Sequence, residues 1–189
     1  PNSSIWAVSR LGPNRLLLGT GGGLTEGNLS SAGNWSFRAI PGIDGPVPAV
    51  TTASDKGVWV GLHAGLRRWD PASGALGPKL HDKEWVRAVA EDGAQRLWIT
   101  TRTGLFRLDL RNPRRTPERI ELPAQPHFVR SNALLDEIWI TSDRGIFVSA
   151  RGGAIQRIDA AWASPSTGDV VFPQDGSVWV SYRSPVGIT

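Results

Sequence analysis

A chain of 189 residues with 40% hydrophobic and 20% charged residues is long enough for one domain of ordinary size, and its composition is that of a globular protein rather than a disordered segment. The absence of cysteine excludes disulfides and thiolate metal sites and fits an oxidising compartment, and no apolar run approaches the roughly 20 residues that span a bilayer. The formal charge of +4 comes from 21 basic residues interleaved with 17 acidic ones. Nucleic-acid binding calls for clustering, and only residues 111–119, RNPRRTPER, are dense in arginine; they read as a solvated loop. A start at PNSS without methionine is expected of a processed chain or of a piece of a longer one.

The predicted elements repeat at about forty residues. The first unit opens at Ile5 with IWAVSR, turns through LGPNR, and continues through LLLGT, Gly23-Leu24 and a weaker WSFRAI. The second opens at Val47 with VPAVTT and runs through SDKG, VWVGL, LRRWD and GPKLHD. The third opens at Val86 with VRAVAED and runs through LWITT, LFRLD and PERIEL. The fourth opens at His127 with HFVRSN and runs through NALLDE, IWITS, IFVSA and AIQRID. The fifth opens at Thr167 with TGDVVF and ends after VWVSY, as its third strand begins. Each first strand is a short apolar run closed by Gly, Asp, Asn or Pro, the residues tight connections need. Each second strand is almost continuously apolar, which predicts burial on both faces. No segment carries a capped helical period. Leu17, Trp59, Trp98, Trp139 and Trp179 occupy one repeat position, and a recurrent indole there predicts packing between neighbouring units.

Four-stranded antiparallel units at this period predict an all-β fold, a β-propeller of four-stranded blades. The repeats fall near 5–46, 47–85, 86–126, 127–166 and 167–189. About four and a half blades are present, so the expectation is an incomplete propeller over 1–189 that forms part of a larger one. Its open edges favour self-association.

The segment VRAVAEDGAQRLWITTRTGLFRLD resembles the two-component regulator propeller repeat, through Glu91, Asp92, Leu97, Trp98, Ile99, Thr101, Gly104, Leu105 and Phe106. The second repeat matches at Trp59, Val60, Gly61, Gly65 and Leu66, the fourth at Trp139, Ile140, Thr141, Gly145 and Ile146, and the first at Leu17, Gly19, Thr20, Gly23 and Leu24. The first repeat departs from the pattern by lacking the tryptophan, and the fourth and fifth lack the acidic pair before the turn. The resemblance implies a periplasmic or extracytoplasmic ligand-sensing domain that meets the membrane only through its parent chain. It also implies a parent ending in an output module such as a histidine kinase or a diguanylate cyclase, with no catalysis in this segment.

Motifs for chemistry are sparse. GTGGGL, residues 19–24, lacks the Lys-Ser/Thr and the helix of a phosphate loop and reads as a strand-to-strand turn. His63, His81 and His127 fit no metal spacing, and no cofactor motif is present. Propeller topology gathers the turns between second and third strands with the connections between blades. That face would hold Thr20, His63, Arg102, Asp143, Arg144, Tyr182 and Arg183 from inner turns, Lys83 and Trp85 from a connection, and His127 beside one. Arginine forks favour an anionic ligand and an aromatic favours a sugar face or ring, so a small-molecule or glycan ligand is expected here. Two other readings compete. One is a propeller lyase or hydrolase, with His63 or His127 and Asp143 as its base machinery. The other is a passive protein-interaction scaffold.

Overall fold

A computed structural model describes residues 4–82, 84–113, 115–159, 167–183 and 186–188, the side chains of 183 and 186 excepted. The described residues form strands, turns and bends with no helix, in five antiparallel sheets each built from consecutive strands. The chain divides into two compact units, residues 1–87 and 88–189.

The first unit holds two sheets. Strands β1 (Ile5–Gly12), β2 (Arg15–Thr20), β3 (Gly23–Leu29) and β4 (Trp35–Asp44) lie in sequence order. The second sheet is β5 (Ala49–Thr52), β6 (Val58–Leu62) and β7 (Gly65–Trp69). GPKLHD, expected as its fourth strand, supplies no strand. It contributes the isolated bridge of Leu80 to Leu66, and Leu76 just before it bridges Trp69. Pro78 has no N–H to donate, which interrupts a ladder between those two bridges. Leu17, Leu24, Val47, Val50, Val58, Val60 and Trp69 are buried together between the two sheets.

The second unit begins within β8 (Val86–Glu91), which pairs with β9 (Arg96–Thr101), followed by β10 (Leu105–Asp109) and β11 (Glu118–Ile120). The fourth sheet is β12 (Pro126–Asn132), β13 (Glu137–Ser142), β14 (Gly145–Ala150) and β15 (Ile155–Arg157). The fifth is β16 (Thr167–Val171), β17 (Trp179–Arg183) and β18 (Val186–Ile188). Among the described residues the blades are therefore five, three of four strands and two of three, rather than four and a half of four strands.

The continuous apolar runs in β6, β9 and β13 are buried as their pattern predicts. Trp59, Trp98 and Trp139 are buried, whereas Trp179 is 52% exposed. The difference has a local cause. Trp139 is covered edge-on by Phe172 of the following sheet, at 5.4 Å between ring centroids, and no sheet follows the fifth among the described residues.

Each buried indole has its own cross-strand neighbour. Arg68 faces Trp59 and Arg107 faces Trp98 in register, with their guanidinium carbons 4.7 and 5.3 Å from the ring centroids. These are cation–π distances. Where the first repeat has Leu17 instead, its cross-strand neighbour is Glu26, a buried carboxylate held by Arg15 (2.8 Å from Nε) and Arg38 (3.1 Å).

Burial pushes the Glu26 carboxyl up, the hydrogen bonds from Arg15 and Arg38 and their charges pull it down, and the net lies below the ordinary value of 4.5. A carboxyl whose folded pKa is depressed stabilises the fold above its unfolded pKa and loses that contribution as pH falls through the folded value. Acid titration of the wild type is therefore expected to show a stability loss that begins below about pH 4.5 and that Glu26→Gln lessens. Tm measured at several pH values between neutrality and pH 3 checks this, and parallel curves for the two proteins would refute it.

Small residues join one sheet to the next. At Gly19 an added Cβ would collide with the Val47 carbonyl oxygen, and at Gly61 it would lie 2.7 Å from Val86 Cγ1 and 2.8 Å from Ala49 Cβ. The same repeat position carries Thr100 and Thr141 in the second unit. Their hydroxyls donate to the carbonyls of His127 (3.2 Å) and Gly168 (2.7 Å) on the next sheet's first strand.

Candidate functional site

Three of the hairpins between second and third strands share a local device. Thr20 Oγ1 donates to the Gly23 carbonyl (2.9 Å) and accepts from Gly22 N (3.1 Å). Ser142 does the same with Gly145 O (2.8 Å) and Arg144 N (3.1 Å), and Thr101 with Gly104 O (3.4 Å) and Thr103 N (3.1 Å). The closing glycine takes a positive φ, 100° at Gly65 and 110° at Gly145, where an L side chain is disfavoured. The hydroxyl of Thr20 is thus engaged in forming its turn, and the residues between hydroxyl and glycine are the ones presented outward.

The β6–β7 hairpin has Leu62 in place of that hydroxyl, and His63 lies at its exposed tip. The connection after β7 is tied back on the same hairpin by Leu66 N to Leu80 O (2.8 Å) and Gly65 N to Glu84 O (2.8 Å). The result is Trp85 beside His63, ring centroids 4.7 Å apart and tilted by 60°. On its other side Trp85 meets Trp6 of β1, centroids 6.2 Å apart and 25° from parallel. Trp6 is 45% exposed and Trp85 half-buried, so the three rings form a surface with an accessible aromatic face and a histidine at its rim.

Asp82 and Glu84 precede Trp85 in sequence. Both act on His81, whose imidazole burial pushes below its ordinary pKa while the two carboxylates oppose the shift. Lys83 lies outside the described residues.

The candidates of the second unit are more dispersed. Arg102 and Arg144 are exposed at turn tips. Asp143 is exposed yet committed. Its Oδ1 accepts from Gln125 N (2.8 Å) and its own N–H donates to Gln125 O (3.2 Å), which locks the turn to the preceding connection. His127 is half-buried on β12, its carbonyl receiving the Thr100 hydroxyl. Tyr182 is half-buried against the cluster of Trp139, Ile146, Val170 and Val180. The side chain of Arg183 lies outside the described residues. Among the described residues no cluster of His, Asp and Glu is arranged to hold a metal ion. A pocket of about 430 Å³ opens beside β15, lined by Glu137, Val148, Gln156 and Arg157 among others, and no sequence candidate lines it.

Sequence reasoning placed His63 and Trp85 on one face, without pairing them, and missed Trp6, which it absorbed into a strand. Gln125 was likewise missed. A tryptophan at the second residue of a repeat's first strand, where the other repeats have Pro48, Arg87, Phe128 and Gly168, was the available signal.

No protein-family model matches the chain, and no curated protein does. Solved structures do match. The extracellular domain of a Bacteroides thetaiotaomicron protein assigned to a hybrid two-component system, BT4673, aligns with a TM-score of 0.70 and 18% identity, over 98% of this chain and 26% of that one. The corresponding domain of BT3049, from the same organism, aligns at 0.70 and 16%, over 96% and 26%. The likeness is one of fold. Virginiamycin B lyase from Staphylococcus aureus aligns as well, at a TM-score of 0.70 and 14% identity over 100% of this chain and 70% of the enzyme. The chain spans about a quarter of the length of the extracellular domains it matches.

Proposed function

We propose that this chain is a ligand-sensing segment of an extracytoplasmic propeller of the two-component regulator type, and that Trp6, Trp85 and His63 receive the ligand. The observation that carries the reading is the aromatic group itself. Three rings from β1, a hairpin tip and a connection meet at the surface, and a half-exposed indole stack with a hydrogen-bonding rim suits a planar ring or the apolar face of a sugar. The extracellular-domain neighbours support the extracytoplasmic setting and the sensor role. In this reading the parent chain passes the binding event to a membrane-bound output module, a histidine kinase or a diguanylate cyclase.

The lyase neighbour shares the fold at 14% identity, which carries no reaction to this chain. The enzymatic reading makes His63 and His127 essential, and the scaffold reading makes small molecules inert.

A panel of neutral and acidic oligosaccharides and aromatic acids, screened by Tm and tryptophan fluorescence, tests the proposal. A ligand selective for the folded state raises Tm, by linkage, and perturbs the emission of the exposed indoles. Trp85→Ala is expected to weaken binding at least tenfold, in keeping with an aromatic anchor residue, while leaving the circular dichroism spectrum intact. Binding that survives in Trp6→Ala and Trp85→Ala would move the site elsewhere. A panel without a single hit would remove the reading.

A further inference from the structure

We infer that β4 is a pairing edge at which a second copy of this chain docks, strand against strand. The outer edges of the second, third and fourth sheets are guarded. The outer strands β11 and β15 have three residues each and carry Glu118, Arg119 and Arg157, and the outer side of β7 meets only two isolated bridges. Short, charged or broken edges are the usual protection against strand addition. By contrast β4 has ten residues, the longest strand among those described, and it closes the outer side of its sheet.

Its first half is prepared for a partner. Trp35 and Phe37 are 41% and 59% exposed and stacked, centroids 6.2 Å apart and 16° from parallel. Both rings lie over Gly27 of β3, where a Cβ would sit 2.8 Å from the Phe37 ring and 3.4 Å from that of Trp35. A pair already fixed against a glycine loses little freedom on being covered. Arg38 is the charged residue of this half, and Glu26 answers it at 3.1 Å, so a second β4 meets no uncompensated charge.

The register is set by the backbone. The Asn34 carbonyl accepts from Ser30 N (2.9 Å), so it points into its own sheet. Alternation along an antiparallel strand then turns the N–H and C=O groups of Trp35, Phe37 and Ala39 outward. A twofold pairing centred on Ser36 sets Trp35 opposite the second copy's Phe37, and the reverse, as two direct cross-strand aromatic pairs. About that centre Asn34 lies opposite the second copy's Arg38, and beyond it the pairing runs into the turn before Asn34, so the ladder covers residues 34–38. Five residues a side make a small interface, so the dimer is weak and concentration-dependent.

Sedimentation equilibrium tests this. The average mass is expected to rise toward twice the chain mass as concentration passes about 100 µM, the range of small interfaces. Phe37→Lys is expected to weaken the dimer at least tenfold, as a charge placed on an edge does, with an unchanged circular dichroism spectrum. The chain has no cysteine, so Ser36→Cys gives a second readout independent of that variant. Centred on the twofold at a non-hydrogen-bonded position, the two cysteines fall within disulfide range, and mild oxidation should link the copies. Ala133→Cys, on an exposed turn of the fourth sheet, should stay unlinked. A chain that remains monomeric to about 1 mM would overturn the inference. So would a dimer that Phe37→Lys leaves intact, equal linking of the two cysteine variants, or a monomer that takes up a foreign extended peptide at β4.

Discussion

Asp92→Ala is expected to cost about 3–5 kcal/mol, the usual penalty for breaking a buried charge pair. The carboxylate side chain is 3% exposed and closes three structures at once. Its Oδ1 accepts from the backbone N–H groups of Ala94 and Arg96, each at 3.0 Å, which fixes the β8–β9 turn. Its Oδ2 accepts from Arg96 Nε at 2.8 Å and from the Trp98 indole at 2.7 Å, which fixes the central indole of the third sheet. Alanine strands a half-buried guanidinium, a buried indole N–H and two turn amides together. For a chain of this length the loss corresponds to a Tm lower by roughly 10 °C. Trp98→Phe, which removes the indole donor and leaves Asp92 its three other partners, should cost much less at the hydrogen bond itself. Thermal unfolding of both variants by circular dichroism decides the matter. Equal losses would mean that ring volume, rather than the carboxylate, holds this turn. Trp59 gives the contrast within the chain. Its repeat has Ala53 where Asp92 stands, and its indole N–H is buried without an acceptor among the described residues.

The second large effect is expected at Gly19, where alanine should destabilise the first unit by about 2–4 kcal/mol, the range for an overpacked core site that forces backbone to shift. The Val47 carbonyl oxygen occupies the place of the new methyl group, and Val47 Cγ1 and Ala7 Cβ close its sides at 3.0 and 3.2 Å. Val47 N also donates to Thr20 O at 2.9 Å, so relief by backbone movement breaks the hydrogen bond that joins the first two sheets. Thr100→Ala at the equivalent position of the third sheet removes one hydroxyl from the His127 carbonyl and should cost only about 1 kcal/mol. Urea titrations of the two alanine variants check the ordering. A Gly19→Ala protein as stable as Thr100→Ala would show that the sheets of the first unit separate more easily than their packing implies.

The features legible in the sequence were local and repeated. Three of the four aligned tryptophans are buried where the apolar-Trp-apolar pattern put them, and the Gly-Leu steps open third strands at Gly23, Gly65 and just after Gly104. These features depend on hairpins, which the chain writes in consecutive residues. The exposure of Trp179 depends on whether another sheet covers its own, and the missing fourth strand of the second sheet on how Pro78 interrupts bridging, so repeat alignment alone misread both. The arginines over Trp59 and Trp98 were readable in principle, because each lies at the same offset from its indole; register rather than periodicity reveals them. At the candidate site, His63 and Trp85 could be placed on one face through the hairpin-and-connection logic. The contact of Trp6 with Trp85 could not be read that way, since it joins residues almost a full unit apart. Asp143 shows the opposite limit, a turn residue whose carboxylate serves the neighbouring backbone.

Each sheet is woven only from strands adjacent in the chain. Among the described residues no strand pairs with one far along the chain, so these hydrogen-bond ladders can close in the order in which residues leave the ribosome or a translocation pore. Lateral contacts are the ones that must wait. The Thr20 carbonyl meets Val47 only when the second sheet arrives, and the Thr100 and Thr141 hydroxyls find their carbonyls only on the next sheet in the chain. A nascent chain thus carries one unfinished flank, always that of the sheet most recently made, and the flank moves forward with synthesis.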